Sequence, residues 1–508
     1  MMGVKAREFG PIDVVTLEDL VRTDSFYRHL ERALDLSFVR DLVRVHYAAG
    51  GRPSIDPVVF FKLQLVLFFE GIRSERQLME VAADRLSIRW YVGYDLDEAL
   101  PDHSSLTRIR QRFGLPVFRQ FFEHILDRCT AAGLIWGREV LVDASKVPGN
   151  ADVDSLVPRL KDVVDDHLVE LFGTQADSST SEHWNVVEEC RLPSDRPLSP
   201  GYERLSHRKV SRTDPDATPM ALSTGRTVLG YQDHYLVDGG RARIILNCLV
   251  LSGDVMENQP FLDQFRHTLF RRKLHPRRVI ADTAYGTVEN LTAMDQAGIQ
   301  LVTPLPNWEK STPYFKVSAF TYDAEQDVYR CPKGETLTLA HVDTVNQRKL
   351  YRAPTKSCTV CPLRKKCTAN RRGRQIYRSF HAELLARVRG YEGTPSFEKA
   401  MRKRRVWVEP LFAEAKQWHG LSRFRLRGVY NVNIEGVLIA AGQNLKRYLA
   451  KRDWGKHWGP HGPLLSPSAA EIGSPGPDVA RPNCWTCRHR LSPTVTATAA
   501  FFNALGGI

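Results

Sequence analysis

The sequence predicts a helical domain followed by a mixed α/β domain, on three observations. Residues 15 to 135 repeat apolar positions at three-and-four spacing, the period of helices with one buried face. From about residue 138, short apolar runs are divided by turn residues, the mark of strands. The composition, 43% hydrophobic and 25% charged over 508 residues, is that of a globular chain with length for about three domains. It excludes collagen-like, wholly disordered and multispan membrane proteins.

In the helical part, Val58 to Phe69 is the longest apolar stretch. It contains Lys62 and Gln64 and falls short of the about 20 apolar residues of a membrane span, so it predicts a buried core helix. Ser74-Glu75-Arg76-Gln77 has the spacing of a capping box that opens a second helix. Pro101 to Ser105 reads as a further helix start, with Arg108 and Arg112 one turn apart. A helix-turn-helix reader of DNA and a structural helix with a basic outer face both fit. The missing glycine between the helices favours the second. The N-terminal residues lack the apolar run of a signal peptide, which predicts a cytoplasmic protein with reduced thiols.

Glu139 to Val142 predicts a strand ending at Asp143. Gly230 to Asp238 and Arg243 to Val250 predict a hairpin about Gly239-Gly240. A strand over 278–281 ends at Asp282, a helix over 289–297 stops at Gly298, and another strand covers 299–304. The expected division is residues 1–137 helical, 138–452 mixed α/β, and 453–508 a Gly/Pro-rich tail. Two insertions interrupt the second part, an acidic one at about 151–229 and a cysteine-containing β segment at about 308–380.

The formal charge of +13 is unevenly placed. Residues 399–452 carry 13 Lys or Arg against Glu409, Glu414 and Glu435, a net of +10. Residues 359–378 hold seven basic residues and no acid, and residues 266–278 hold six and no acid. Residues 151–190 have a net of −8. Three basic blocks in one half of the chain predict a groove that follows a phosphate backbone.

Asp143 and Asp282 each end a short apolar strand, and carboxylates at strand ends face the crevice where α/β sheets bind ligands. A third carboxylate beside the basic block completes a site for two Mg²⁺ ions, which take hard oxygen ligands and serve phosphoryl transfer. Glu409 is a candidate, with Arg405 four residues before it and Lys416 seven after, one stripe of a continuous helix. Pro410 predicts a start or kink in that helix, and periodicity alone leaves Glu414 as an equal alternative.

The order of LVDASKVPGNAD, ADTAYG and VEPLFAEAK resembles the DDE transposases of bacterial insertion sequences. Their pattern of Tyr, two residues, Arg, three residues, Glu, six residues and Lys is met at Arg405, Glu409 and Lys416, with Arg402 in the tyrosine position. This resemblance selects Glu409 over Glu414. It extends to the helical segment, to TDPDA before the hairpin and to LSRFRLRGVYNVNIEGVLIAAGQNLKR, covering most of residues 15–450. It implies a ribonuclease H-like domain that binds the terminal inverted repeats of its element, cleaves there and joins the ends to target DNA. It also implies Asp143, Asp282 and Glu409 as catalytic ligands of Mg²⁺, with Mn²⁺ as substitute. Arg402, Arg405, Lys416, Arg423, Arg425 and Arg427 are then contacts to phosphate on double-stranded DNA, and the active complex is a homodimer, with no membrane role. A silent DNA-binding derivative and a nuclease without joining activity remain the alternatives.

Cys331, Cys358, Cys361 and Cys367 are spaced as C-x26-C-x2-C-x5-C, which suits either a structural Zn²⁺ site or four reduced thiols. Trp308 is read as an exposed or core residue, and Cys484 and Cys487 receive no role.

Overall fold

The apolar run of the N-terminal part becomes helix Pro57–Glu70, started by Asp56, whose side chain accepts from the Val58 N–H at 2.9 Å, and stopped by Gly71 at φ +64°. From Phe60 to Phe69 its apolar residues are buried all round, so it lies inside a bundle rather than on its surface. The surrounding helices include Phe38–Val43, Leu86–Val92 and the C-terminal Val429–Lys451. This computed structural model describes residues 15–47, 54–158, 209–222, 224–306 and 312–452. Most of the acidic insertion, Trp308 and the tail with Cys484 and Cys487 lie outside the described residues.

Helix Glu75–Asp84 starts at Ser74, whose hydroxyl accepts from the Gln77 N–H. Helix His103–Ala131 starts at Asp102 and bends at Gly114, φ +63°. Tyr430 fills the space beside that glycine, its hydroxyl accepting from the Leu115 N–H at 2.6 Å. A side chain at Gly114 meets both the left-handed backbone and that hydroxyl. Arg108 bonds the hydroxyls of Ser104 and Ser105, and Arg112 lies over the Tyr47 ring.

The central sheet contains β1 (Glu139–Pro148), β4 (Thr218–Ala221), β5 (Thr227–Asp238), β6 (Ile245–Ser252), β7 (Arg278–Ile280) and β8 (Gln300–Val302). Leu156–Pro158 (β2) and Lys209–Ser211 (β3) form a separate short ribbon. The five main strands lie in the order β6-β5-β1-β7-β8, with β5 antiparallel to β1 and β6, and with β7 parallel to β1 and β8. Taken in chain order this is 3-2-1-4-5 with the second strand reversed, the ribonuclease H-like arrangement. Strand β4 pairs with the first residues of β5.

Two expectations change here. Strand β1 does not end at Asp143 but continues to Pro148, because the 12-residue β5 supplies partners from Val140 opposite Asp238 to Pro148 opposite Gly230. An unanticipated helix, Phe261–Arg272, carries part of the basic block between β6 and β7. The helix Val288–Gln296 stops before Gly298, which adopts φ +69°.

The second insertion forms its own antiparallel sheet of β9 (Thr321–Asp323), β10 (Val328–Arg330), β11 (Thr336–Asp343), β12 (Arg348–Arg352) and β13 (Gln375–Ser379). Its small core contains Phe320, Tyr329, Leu337, Tyr351 and Ile376.

Helix Val429–Lys451 joins the two halves. It packs on both β6 and helix His103–Ala131, and the main core is continuous from Phe26 to Leu449. Asn433 accepts from the Val250 N–H at 3.0 Å and donates to its carbonyl at 2.7 Å, while Asn444 pairs both backbone groups of Ile245 at 2.8 Å. The two asparagines are three helical turns apart, about 16 Å, and the two strand residues are separated by about 17 Å, so one helix satisfies both ends of β6. The TDPDA segment serves the same helix: Asp214 accepts from the Gly428 N–H and Asp216 from the Val429 N–H, placing two carboxylates at its N-terminus.

Candidate active site

Strands β1 and β7 are parallel and in register, Leu141 opposite Ile280. Two residues further along each chain come Asp143 and Asp282, so the register sets the two carboxylates side by side across a strand spacing of about 5 Å. Asp143 is mid-strand opposite Tyr235 and buried, 8% exposed. Asp282 follows the end of β7 and caps the turn Thr283–Tyr285, accepting from the Ala284 N–H at 2.9 Å. Burial pushes the Asp143 carboxyl up to about 7; Arg404 pulls it down and the charge of Asp282 pushes it up again.

Glu257, in the loop after β6, belongs to the same field and was not anticipated from sequence. Burial raises its carboxyl first and Asp282 raises it further, while Lys146 and Arg404 lower it. No periodic signal marks a loop glutamate; the nearest hint is its place in a turn after an apolar strand.

Pro410 divides the C-terminal stripe. Helix Pro395–Trp407 ends at Val408, and helix Glu409–Trp418 begins immediately after, with Pro410 in its first turn. The expected continuous helix through Arg405, Glu409 and Lys416 is therefore two helices, and the break changes which side chain faces the carboxylates. Arg404 does so, donating from Nη1 to Asp143 Oδ2 at 2.8 Å and placing Nη2 at 3.6 Å from Glu409 Oε1. Arg405 is exposed. Glu409 is half-exposed, 51%, at the mouth of the site.

Glu414, the alternative third carboxylate, is fully engaged elsewhere. Lys446, Arg447 and Gln443 donate to it and His419 lies alongside. Burial opposes its charge, but His419, Arg447 and Lys446 outweigh it and hold the carboxyl far below its usual range.

The other basic residues have mixed placements. Lys416 is half-buried and donates to the Lys146 carbonyl at 2.9 Å, with burial lowering its pKa and Asp233 raising it. Arg423 and Arg427 are exposed, and their Nε atoms bond the carbonyls of Gly149 and Asn150, fastening the loop after β1. Arg425 joins Arg110 in an ion pair with the buried Glu75. Arg402 lines a separate cleft.

Oxygen donors at Asp143, Asp282, Glu257 and Glu409 suit a hard divalent cation, and two adjacent carboxylates call for positive charge between them. The Arg404 guanidinium supplies positive charge to Asp143 and Glu409. Among the described residues, no group of three or more His, Cys, Asp or Glu side chains is drawn into position to hold a metal ion. That applies to the four insertion cysteines as well. They are half-buried free thiols: Cys358 and Cys361 share a turn, and Cys331 accepts from the Gly334 N–H. Burial raises the Cys367 thiol, Arg374 lowers it, and the other three cysteines raise it, so the four share one electrostatic neighbourhood.

No described helix is long and apolar enough to cross a membrane.

Two family models match the chain: Transposase domain (DUF772) over residues 15–112 and Transposase DDE domain over residues 330–449. No curated protein matches. Among solved structures, the chain is similar to a piggyBac transposase in a synaptic complex with hairpin DNA, at 8% identity over 84% of this chain and 73% of that one, TM-score 0.31. It is also similar to the Mos1 transposase in a paired-end complex with the left transposon end, at 12% identity over 52% of this chain and 62% of that one, TM-score 0.15. The chain thus matches a transposase domain over its N-terminal helices and a transposase DDE domain over the segment that reaches through Glu409.

Proposed function

We propose that this chain is a transposase that binds the terminal inverted repeats of its own element, cleaves a strand at each end and joins the freed ends to target DNA. The observation that carries the reading is the placement of Asp143 on β1 and of Asp282 just past the end of the adjacent, in-register β7, with Glu409 and a basic C-terminal segment nearby. Residues 1–137 are the helical end-binding part and residues 138–452 the catalytic part. Two copies acting on two ends make the active complex a homodimer.

Asp143, Asp282 and Glu409 are the residues that would hold Mg²⁺, or Mn²⁺ in its place. Divalent cations held there would supply charge to activate the attacking oxygen and to neutralise the leaving one. In the first step a water oxygen bonds to phosphorus, the bond to the 3′-oxygen breaks, and a 3′-hydroxyl leaves on the element end. In the second, that 3′-oxygen attacks a target phosphate and releases the target's own 3′-hydroxyl. Arg404 neutralises Asp143 and Glu409 until substrate arrives and then suits bidentate contact with a phosphate. Arg405, exposed beside it, is the second phosphate contact.

The test is supercoiled donor DNA with the element's ends, incubated with Mg²⁺ and scored for binding, nicking and joining. Nicking with joined product supports the reading; nicking alone reduces the protein to a nuclease, and binding alone to a DNA-binding protein.

The four insertion cysteines are proposed as thiolate ligands of a structural Zn²⁺, supported by their shared neighbourhood and the turns at Cys331 and Cys358. Elemental analysis of purified, folded protein finds about one zinc per chain if this is right. A metal-free folded protein refutes it.

A further inference from the structure

At the end of the sheet opposite to the carboxylates, where β1 and β7 begin, lies an open cleft of about 1250 Å³. Glu139 and Arg278 start those strands, and Asp143 and Asp282 are four residues further along each, about 13 Å away. The cleft continues into a second one of about 480 Å³ through Arg241, Ala242, Arg447 and Ala450, which line both. Among the described residues, no carboxylate lines the larger cleft. Glu139, buried beneath it, is neutralised by Arg278 and Lys403, and Glu414 in the smaller one by Lys446 and Arg447. That leaves Arg241, Lys399, Arg402 and Lys451 exposed, with no ion pair among the described residues.

An exposed indole stands in each cleft, Trp136 at 52% and Trp418 at 61%. Trp407 differs: it is partly buried and donates to the Gly240 carbonyl at 2.9 Å, a structural bond. Large exposed aromatic faces beside unpaired cations are the two components of a single-strand nucleic-acid groove, one stacking bases and the other following phosphates. A duplex keeps its bases stacked on each other and offers an indole nothing to stack on. One helix serves both places: Pro395–Trp407 turns Arg404 to Asp143 and turns Lys399, Arg402 and Lys403 to the cleft.

We infer that this double cleft is a binding site for single-stranded DNA, separate from the carboxylate site, with bases stacked on Trp136 and Trp418 and phosphates on Arg241, Lys399, Arg402 and Lys451. The inference builds on the transposase reading, in which single strands are cut and joined.

The test is fluorescence anisotropy of the full chain with a fluorescein-labelled oligothymidylate of 20 nucleotides, in EDTA so that no strand is cut. The variants are Trp136→Ala, Trp418→Ala, both Trp→Phe forms, and Arg241→Ala/Lys399→Ala/Lys451→Ala, each checked for an unchanged melting temperature. Each lost indole weakens oligothymidylate binding about 10-fold and the Phe forms recover most of it. The triple variant flattens the slope of log affinity against log salt by about 2. In Mg²⁺ the Trp variants still cleave duplex element ends, and every variant loses more affinity for the oligonucleotide than for duplex. Variants that bind the oligonucleotide like the parent overturn the inference, and so does a parent that binds only duplex. A parent that binds the oligonucleotide through the cleft but never cleaves element ends leaves the groove standing and removes the proposed reaction instead.

Discussion

Arg404 bridges Asp143 and Glu409, with Nη1 2.8 Å from one carboxylate and Nη2 3.6 Å from the other. A guanidinium thus places positive charge between the two carboxylates, and it reaches them from a helix that ends one residue before Val408. Binding of a cation to Asp143 has to displace that contact or share the carboxylate with it.

Arg404→Ala is accordingly expected to uncover the repulsion between Asp143 and its carboxylate neighbours. In EDTA it costs about 2 kcal/mol of stability, since an ion pair of low exposure loses one partner. Addition of Mg²⁺ then raises the melting temperature of the variant more than that of the parent. Thermal melts with and without Mg²⁺ check this; an equal rise in both proteins contradicts the bridge.

The Glu414 cluster predicts a second outcome. Its carboxyl is held below the ordinary range in the folded protein, so its contribution is present above the unfolded pKa and is lost as pH falls through the folded one. Glu414→Gln leaves Lys446 and Arg447 facing a neutral group and costs about 3 kcal/mol at pH 7, shrinking in strong acid. Urea melts at pH 7 and pH 3 measure it, and a loss independent of pH speaks against the charge as cause.

Asp233 carries the opposite sign. It is fully buried on β5, one oxygen has no hydrogen-bond partner, and burial pushes its carboxyl up to about 7. The folded state favours the protonated acid, so stability is full below the unfolded pKa near 4 and falls as pH rises toward 7. Asp233→Asn is expected to match the parent at pH 4 and to exceed it by roughly 3 kcal/mol at pH 8. A variant that is weaker at both values indicates that the carboxylate is paired with Lys416 in its charged form.

Much of this arrangement was legible in the sequence, and the misses have physical causes. The helix at Pro57–Glu70 and the caps at Ser74 and Asp102 follow from local chemistry, and all three form. Asp143 and Asp282 stand out because apolar runs precede each. The extent of β1 depends on the length of β5 opposite it, which no local pattern encodes. Pro410 announces a break, but the phase of the two helices about that break decides between Arg404 and Arg405, and no local pattern encodes that phase. Arg425 reads as one more phosphate contact until Glu75, from the far end of the chain, is seen to pair with it. Glu257 sits in a turn with no period at all.

The central claim is that Asp143, Asp282 and Glu409 form one strand-cleaving centre, and its most direct measurement is Mg²⁺-dependent nicking of element-end DNA by Asp143→Asn, Asp282→Asn and Glu409→Gln, alongside their end binding. The account predicts that nicking falls by at least about 1000-fold in each, because each loses an oxygen donor to the metal, while end binding stays within about twofold of the parent. Nicking at the parent rate by any of the three removes that residue from the centre, and parent-rate nicking by all three contradicts the account.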